Sequence, residues 1–309
     1  MRFKGLDLNL LVAFDCLVRE RSVTLAAERL HLSQPAMSAA LSRLRDYLDD
    51  DILRAVGKRM VPTPYAERLH VEISDMLQRL DQTLGMSASF DPATSERSFR
   101  IAASDYIAMV LLVPLVRKLA AVAPHVHITI INTGPASVEK LGRGEIDLVI
   151  TPRQYLLENH PSELLMVERH VVVGWREHPA FKAPMTQDVF CSYGQIGVEI
   201  GSATVAFAQL EVDKLNARRN IELIVPSFTL VGPLLVGTQR LALMHERLAR
   251  LQAATLPLGI APNPFPIPLL EQAMQWHRTR TEDPAVRWLR SQVTALAVEM
   301  PGGKDHKQR

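Results

Sequence analysis

Between Ser33 and Arg45 the polar residues recur on one side of a helical repeat: Ser33, Gln34, Ser38, Ser42 and Arg45, with Arg43 beside them. The carboxamide of Gln34 carries a donor and an acceptor in the geometry that matches an adenine edge, and a guanidinium matches guanine or phosphate. Serine hydroxyls bond phosphate oxygens. Pro35 stands in the first turn of the same repeat, where its missing N–H costs little. A few residues on, Arg54, Lys58 and Arg59 surround a Gly-Lys-Arg turn, from which cations reach neighbouring phosphates or a minor groove. Bond-making chemistry finds no comparable set. The chain has no nucleophile elbow, no phosphate loop and no dinucleotide fingerprint. His125 and His127 share one face of an expected strand but lack a third ligand at useful spacing. The expectation is a protein that is not an enzyme, with no catalytic residue, no metal and no resident cofactor.

The elements that must position these side chains follow from periodicity. Leu10, Phe14, Leu17 and Val18 form one helical stripe. A second helix is expected from Thr24 as N-cap through Leu30, with Ala26 and Ala27 letting a neighbour approach closely. A third opens on Ser33 as N-cap and buries Met37, Ala40, Leu41, Leu44 and Leu48. Only His31 and Leu32 separate the two, so they must cross steeply. Ile52 to Val61 reads as a small hairpin, and Thr63 followed by Pro64 announces a long helix. Along that helix Leu69, Ile73, Met76 and Leu80 repeat at about 3.5 residues, a seam expected to join two copies of the chain. An amphipathic helix packing within one copy is the alternative.

Ser87 to Ser98 is small and polar, a hinge. Beyond it strands and helices alternate, the grammar of an α/β sheet. Strands are expected from Phe99, over His127–Asn132 and Asp147–Thr151, and in a second set over Val171–Val173, Ile196–Val198, Ile221–Val225 and Leu241–Met244. Helices are expected over Tyr106–Val122, Ser137–Leu141, Val205–Leu215 and from about Thr229. The last helix, Val286–Val298, has no strand after it and should pack back on the first set, making two subdomains joined by crossing strands. Open α/β sheets bind ligands beyond the carboxyl ends of their strands. That rule selects Ser104, Asp105, Thr151, Gly201, Ser202, Thr204, Phe228 and Thr229, with His170 and His245 close by. Helix N-termini there would favour an anion or a hydroxyl-bearing ligand, and Phe228 a ring. Plain N-capping is the competing role for Ser104, Thr204 and Thr229, and a structural role for the two histidines.

Composition sets outer bounds. With 309 residues, 47% hydrophobic and 22% charged, the chain suits about two ordinary globular domains. A net charge of +2 means that any attraction to nucleic acid is local. Cys16 and Cys191 fit no metal or redox spacing and read as small apolar residues of a reducing compartment. The apolar run from Leu8 to Val18 is interrupted by Asn9 and Asp15, so neither a signal segment nor a membrane span is expected, and the location is expected to be cytoplasmic.

Asp7-Leu8-Asn9-Leu10-Leu11, Ser22 to Leu30, Leu32 to Ser38 and Leu41-Ser42-Arg43-Leu44-Arg45 resemble the N-terminal signature of LysR-type transcriptional regulators. Weaker likeness continues through Leu141–Ile150, Trp175 to Pro179, Gln275-Trp276-His277 and Asp283 to Arg290, similar to the branch of nodulation and aromatic-catabolism regulators. The resemblance implies an α/β protein overall. It has an all-α winged helix-turn-helix at 1–62, a linker helix and hinge at 63–90, and a periplasmic-binding-protein-like effector domain at 91–300. Subdomain I would take about 91–165 and 270–300, subdomain II about 166–269, and 301–309 would be a disordered tail. Implied partners are double-stranded DNA with an interrupted palindrome, a small-molecule effector of aromatic or phenolic class, RNA polymerase, and further copies in a homodimer or homotetramer. No membrane is implied. The run Asp49-Asp50-Asp51 beside the wing departs from the pattern and is expected to weaken non-specific DNA affinity. A periplasmic solute-binding protein would share the α/β grammar but not the first 85 or so residues. An enzyme with a DNA-binding appendage would need a nucleotide loop or nucleophile set that is absent.

Overall fold

The computed structural model describes residues 8–56, 59–85, 90–200, 204–215 and 219–300. The chain divides into two compact units, Met1–Ala88 and Ser89–Arg309. In the first, helices α1 (Leu8–Glu20), α2 (Val23–Arg29) and α3 (Gln34–Leu48) precede a hairpin of β1 (Leu53–Val56) and β2 (Arg59–Pro62) and a long helix α4 (Pro64–Gly85). The apolar faces of these elements close on one core containing Phe14, Leu17, Met37, Leu44, Ile52, Ala66 and Ile73. Each large side chain buried there contributes roughly 1.5–3 kcal/mol.

Capping fixes where these helices begin. Ser33 and Thr63 act as expected: Ser33 Oγ accepts from the Ala36 N–H at 3.3 Å, and the buried Thr63 Oγ1 accepts from the Ala66 N–H at 3.0 Å. For α2 the cap is Ser22, not Thr24: its extended backbone lets Oγ accept from the Leu25 N–H at 3.3 Å, while Thr24 already lies inside the helix.

The second unit runs through β3 (Ser98–Ala103), α5 (Asp105–Ile107), α6 (Val113–Val122), β4 (His127–Ile131), α7 (Pro135–Gly142), β5 (Leu148–Pro152) and β6 (Ser162–Glu168). It continues with β7 (His170–Trp175), α8 (Gln187–Cys191), β8 (Gln195–Ile200), β9 (Thr204–Val205), α9 (Phe207–Lys214) and β10 (Ile221–Val225). Then come α10 (Val231–Leu235), β11 (Leu241–His245), α11 (Glu246–Ala253), β12 (Leu258–Pro262), β13 (Leu270–Gln275) and α12 (Pro284–Glu299).

Two five-stranded sheets result, in the orders β4-β3-β5-β13-β6 and β10-β8-β11-β7-β12, with β9 added to β8. The chain crosses from the first sheet to the second between β6 and β7, through Arg169 alone, and returns between β12 and β13. Helix α12 packs against β6 and α6, back on the first sheet as expected. β6, β12 and β13 have no counterpart among the expected strands. β13 is nonetheless hydrogen-bonded on both edges, antiparallel to β5 and to β6.

Candidate nucleic-acid interface and effector cleft

Helix α3 turns Met37, Leu41 and Leu44 into the core and leaves Ser33, Gln34, Pro35, Ser38, Ser42 and Arg43 exposed. Apart from Pro35 the exposed row is polar, and no described residue of its unit buries it. Arg45 departs from the expectation. It is half-buried, its Nε donating to the Asp51 carbonyl at 2.8 Å and its Nη2 to the Leu53 carbonyl at 2.9 Å, so it straps α3 to the base of the hairpin. Between those carbonyls lies Ile52, fully buried with φ of 61°, a left-handed conformation unusual for a β-branched residue.

The acidic run does structural work at this point. Asp49 ends α3 in the left-handed region. Asp50 Oδ1 accepts from the Ile52 N–H at 2.7 Å and from the Thr63 hydroxyl at 2.6 Å, tying the hairpin to the start of α4. Asp51 pairs with the exposed Arg54 at 2.9 Å, which occupies one of the expected wing cations. Arg59 opens β2, and Lys58 lies outside the described residues.

The expected seam on α4 is divided. Ile73 is buried in the unit's own core and Leu69 packs against it, whereas Met76 and Leu80 stand 49% and 36% exposed. The core-facing ridge of α4 is Ala66, Leu69, Ile73 and Leu77, at the i, i+3, i+7, i+11 spacing of an amphipathic helix. Met76 and Leu80 lie on its flank.

In the second unit, Asp105, Phe228, His170 and His245 converge where the two sheets meet. Ser104 caps α5, accepting from the Ile107 N–H at 3.4 Å. Asp105, next to it, reaches across: its Oδ2 accepts from the Ser227 hydroxyl at 2.6 Å and from the Thr229 N–H at 2.8 Å. Tyr106 stacks face to face on His245, with ring centroids 3.9 Å apart and planes 3° from parallel. Phe228 meets the same imidazole edge-on at 4.6 Å, and His170 lies 4.7 Å from it.

Beneath the stack the Tyr106 hydroxyl donates to Glu168, whose carboxylate also accepts from Arg247 Nη1 at 2.9 Å. Burial, and then the Glu168 charge, push the Tyr106 phenol well above its ordinary range. Burial pushes the His170 imidazolium down to about 4 and, with His170 as neighbour, takes His245 well below its usual value. Both histidines are therefore neutral at pH 7. The Nδ1 atom of each is buried without a hydrogen-bond partner. A small cavity beside them is lined by His170, Phe228, Ala206, Gln209, Arg219 and Leu243.

Thr151 is buried at the end of β5, opposite Ala273 of β13. Thr204 is not at a helix start: it pairs with Ile200 in the β8–β9 hairpin, and α9 begins only at Phe207. Gly201 and Ser202 lie outside the described residues. Tyr106, Glu168, Ser227, Arg219 and Arg247 were not selected from the sequence. A signal existed for one of them, because Glu168 ends the otherwise apolar run Leu164-Leu165-Met166-Val167. No helix among the described residues is long and apolar enough to cross a membrane.

Residues 8–67 match the family model of the bacterial regulatory helix-turn-helix protein, lysR family, and residues 92–297 match the LysR substrate binding domain. The chain belongs to the LysR family. It is 38% identical to Nodulation protein D 1 of Rhizobium leguminosarum bv. phaseoli, over 100% of this chain and 99% of that one. It is 37% identical to Nodulation protein D 2 of Rhizobium meliloti (strain 1021), over 94% of each.

Among solved structures, the probable transcriptional regulator PA0477 from Pseudomonas aeruginosa superposes with a TM-score of 0.65 at 32% identity, covering 95% of this chain and 98% of that one. Full-length OxyR from the same species gives 0.70 at 18% identity, over 98% of each, a likeness of fold. This LysR-family chain is thus a DNA-binding transcriptional regulator with an effector-binding domain, not an enzyme. The exposed row on α3 lies within the matched helix-turn-helix region. The junction where Asp105, Tyr106, Phe228 and His245 meet lies inside the substrate-binding domain.

Proposed function

We propose that this regulator is controlled by an aromatic or phenolic inducer bound where its two sheets meet. The observation that carries the reading is the ring cluster of Tyr106, His245, Phe228 and His170 at that junction, contributed by segments from both sheets. Flat ligand rings pack well against such a set, and neutral imidazole nitrogens without partners offer hydrogen bonds to hydroxyls. Kinship with proteins named for nodulation supports the same branch.

On the DNA side, α3 enters a major groove through Ser33, Gln34, Pro35, Ser38, Ser42 and Arg43. Arg54, together with Lys58 and Arg59 of the same basic stretch, would serve flanking phosphates. Two copies joined along α4, with Met76 and Leu80 exposed for the purpose, would place two such helices on an interrupted palindrome as a homodimer or as half of a homotetramer. Inducer binding shifts the regulator between arrangements that differ in DNA bend or in contact with RNA polymerase, in the cytoplasm. For this the ligand must bind the two arrangements with different affinity.

Thermal-shift and calorimetric screening of phenolic acids and flavonoid-like compounds tests the inducer class. Hits confined to amino acids or sugars would overturn it. On the protein's own upstream DNA, Gln34→Ala is expected to cost about 1–3 kcal/mol at one base position while leaving unfolding unchanged. Retained sequence preference would remove Gln34 from the reading set.

A further inference from the structure

We infer that Asp105 sets the charge selectivity of the effector cleft, admitting uncharged hydroxylated aromatics and turning aromatic carboxylates away. The inference rests on reading the junction of the sheets as the effector site.

The backbone N–H of Thr229 and the hydroxyl of Ser227 are the donors that an incoming carboxylate would seek on this side of the junction. Both are already taken by a single oxygen, Asp105 Oδ2, at 2.8 and 2.6 Å. The internal carboxylate therefore occupies the place of an external one and adds its own charge. That charge is half-exposed, one residue from Tyr106, and its partners Ser227 and Thr229 flank Phe228.

Among the described residues no cation pairs with Asp105. The guanidinium of Arg247 is paired with Glu168, which also accepts from Tyr106. Arg219, on the cavity wall, donates Nε to Gln195 at 2.9 Å and has Nη1 3.6 Å from Asp213. The two histidines contribute no charge, since burial holds His170 and His245 neutral at pH 7. What they do offer is a pair of buried Nδ1 atoms without partners, suited to a hydroxyl. With Glu168 matched by Arg247 and Arg219 by Asp213, the charge left without an ionic partner beside the rings is that of Asp105. Two like charges about 6 Å apart at an effective dielectric of about 20 disfavour each other roughly 100-fold. Solvent at the half-exposed Asp105 reduces this to about tenfold.

Because both hydrogen bonds end on one oxygen, Asp105→Asn retains an acceptor for each, removes the charge and turns the second oxygen into a donor. Calorimetry on the full chain would use two probes that differ in charge but little in shape, 4-hydroxyacetophenone and 4-hydroxybenzoate. The wild-type protein is expected to bind the ketone at least tenfold more tightly. In Asp105→Asn that ratio is expected to fall by about tenfold, chiefly through a gain for the carboxylate. A wild-type protein that binds the carboxylate as well as the ketone, or a ratio unmoved in the variant, overturns the inference. Phe228→Leu tests the underlying reading separately. If both probes keep wild-type affinity there, they bind elsewhere and the junction is not the effector site, whatever the ratio.

Discussion

Substituting Arg45 with alanine removes two guanidinium hydrogen bonds, to the Asp51 carbonyl at 2.8 Å and to the Leu53 carbonyl at 2.9 Å. Bonds with a charged partner contribute about 1.5–3 kcal/mol each when well buried. These are half-buried, so about 2–3 kcal/mol for the pair is the appropriate scale. Ile52 keeps its left-handed backbone without the strap, because Asp50 Oδ1 holds its N–H and the Thr63 N–H holds its carbonyl, so little of that is offset. A net loss near 2 kcal/mol in a unit of fewer than 100 residues lowers its Tm by roughly 10 °C, at about 4–8 °C per kcal/mol.

Trp175, Trp276 and Trp288 all lie in the second unit, so tryptophan fluorescence follows that unit. Differential scanning calorimetry of the full chain resolves the first. A phosphate contact behaves differently: its loss reduces the slope of log K against log salt by about one and leaves Tm alone. The strap predicts the reverse, with a lowered first transition, weaker binding to every sequence and an unchanged salt slope. An unchanged transition with a slope smaller by about one would refute the reasoning and return Arg45 to the DNA.

Acid should destabilise the second unit through its buried histidines. An unfolded histidine binds its proton near pH 6.5, whereas folded His170 does so only at about 4. Between those values the unfolded chain holds more protons, so stability is full above about pH 6.5 and falls as the pH falls. His170 alone should cost about 2 kcal/mol at pH 5 relative to pH 7.5, and His170→Gln should flatten that limb in urea titrations. An identical limb in the variant would place the acid sensitivity elsewhere. Gly174→Ala should destabilise by about 1–3 kcal/mol through overpacking, because its Cβ would meet Leu241 Cδ2 at 2.7 Å and Phe181 at 3.0 Å. Gly259, its cross-strand partner, lies under the same ring, where an added Cβ would come within 2.8 Å of it, so Phe181 packs closely on both glycines. A variant as stable as wild type in denaturant unfolding would show that Leu241 and Phe181 yield more easily than this packing implies.

Features that span three or four residues could be read from the chain alone. The turn between α2 and α3, the Ser33 and Thr63 caps, the apolar face of α3 and most of the alternating strands express local periodicity and local hydrogen bonding, which need no distant partner. The bonds of Arg45, the burial of Ile73 on α4 and the partners of Asp105 were decided only by the tertiary structure. An arginine on the polar face of a helix looks free for DNA until two carbonyls six and eight residues further along fold back onto it. A 3.5-residue repeat does not say whether its apolar side meets a second copy or α1 of the same chain, and Ile73 shows that the monomer takes part of it. Asp105 finds Ser227 and Thr229 from 122 and 124 residues away, and Tyr106 finds Glu168 from 62. Which polar groups satisfy one another across such separations depends on how the two sheets pair and cross, through strands such as β13 that carry no alternation of their own. That packing, not the local code, set Asp105 on Ser227 and Thr229 and buried His170 and His245.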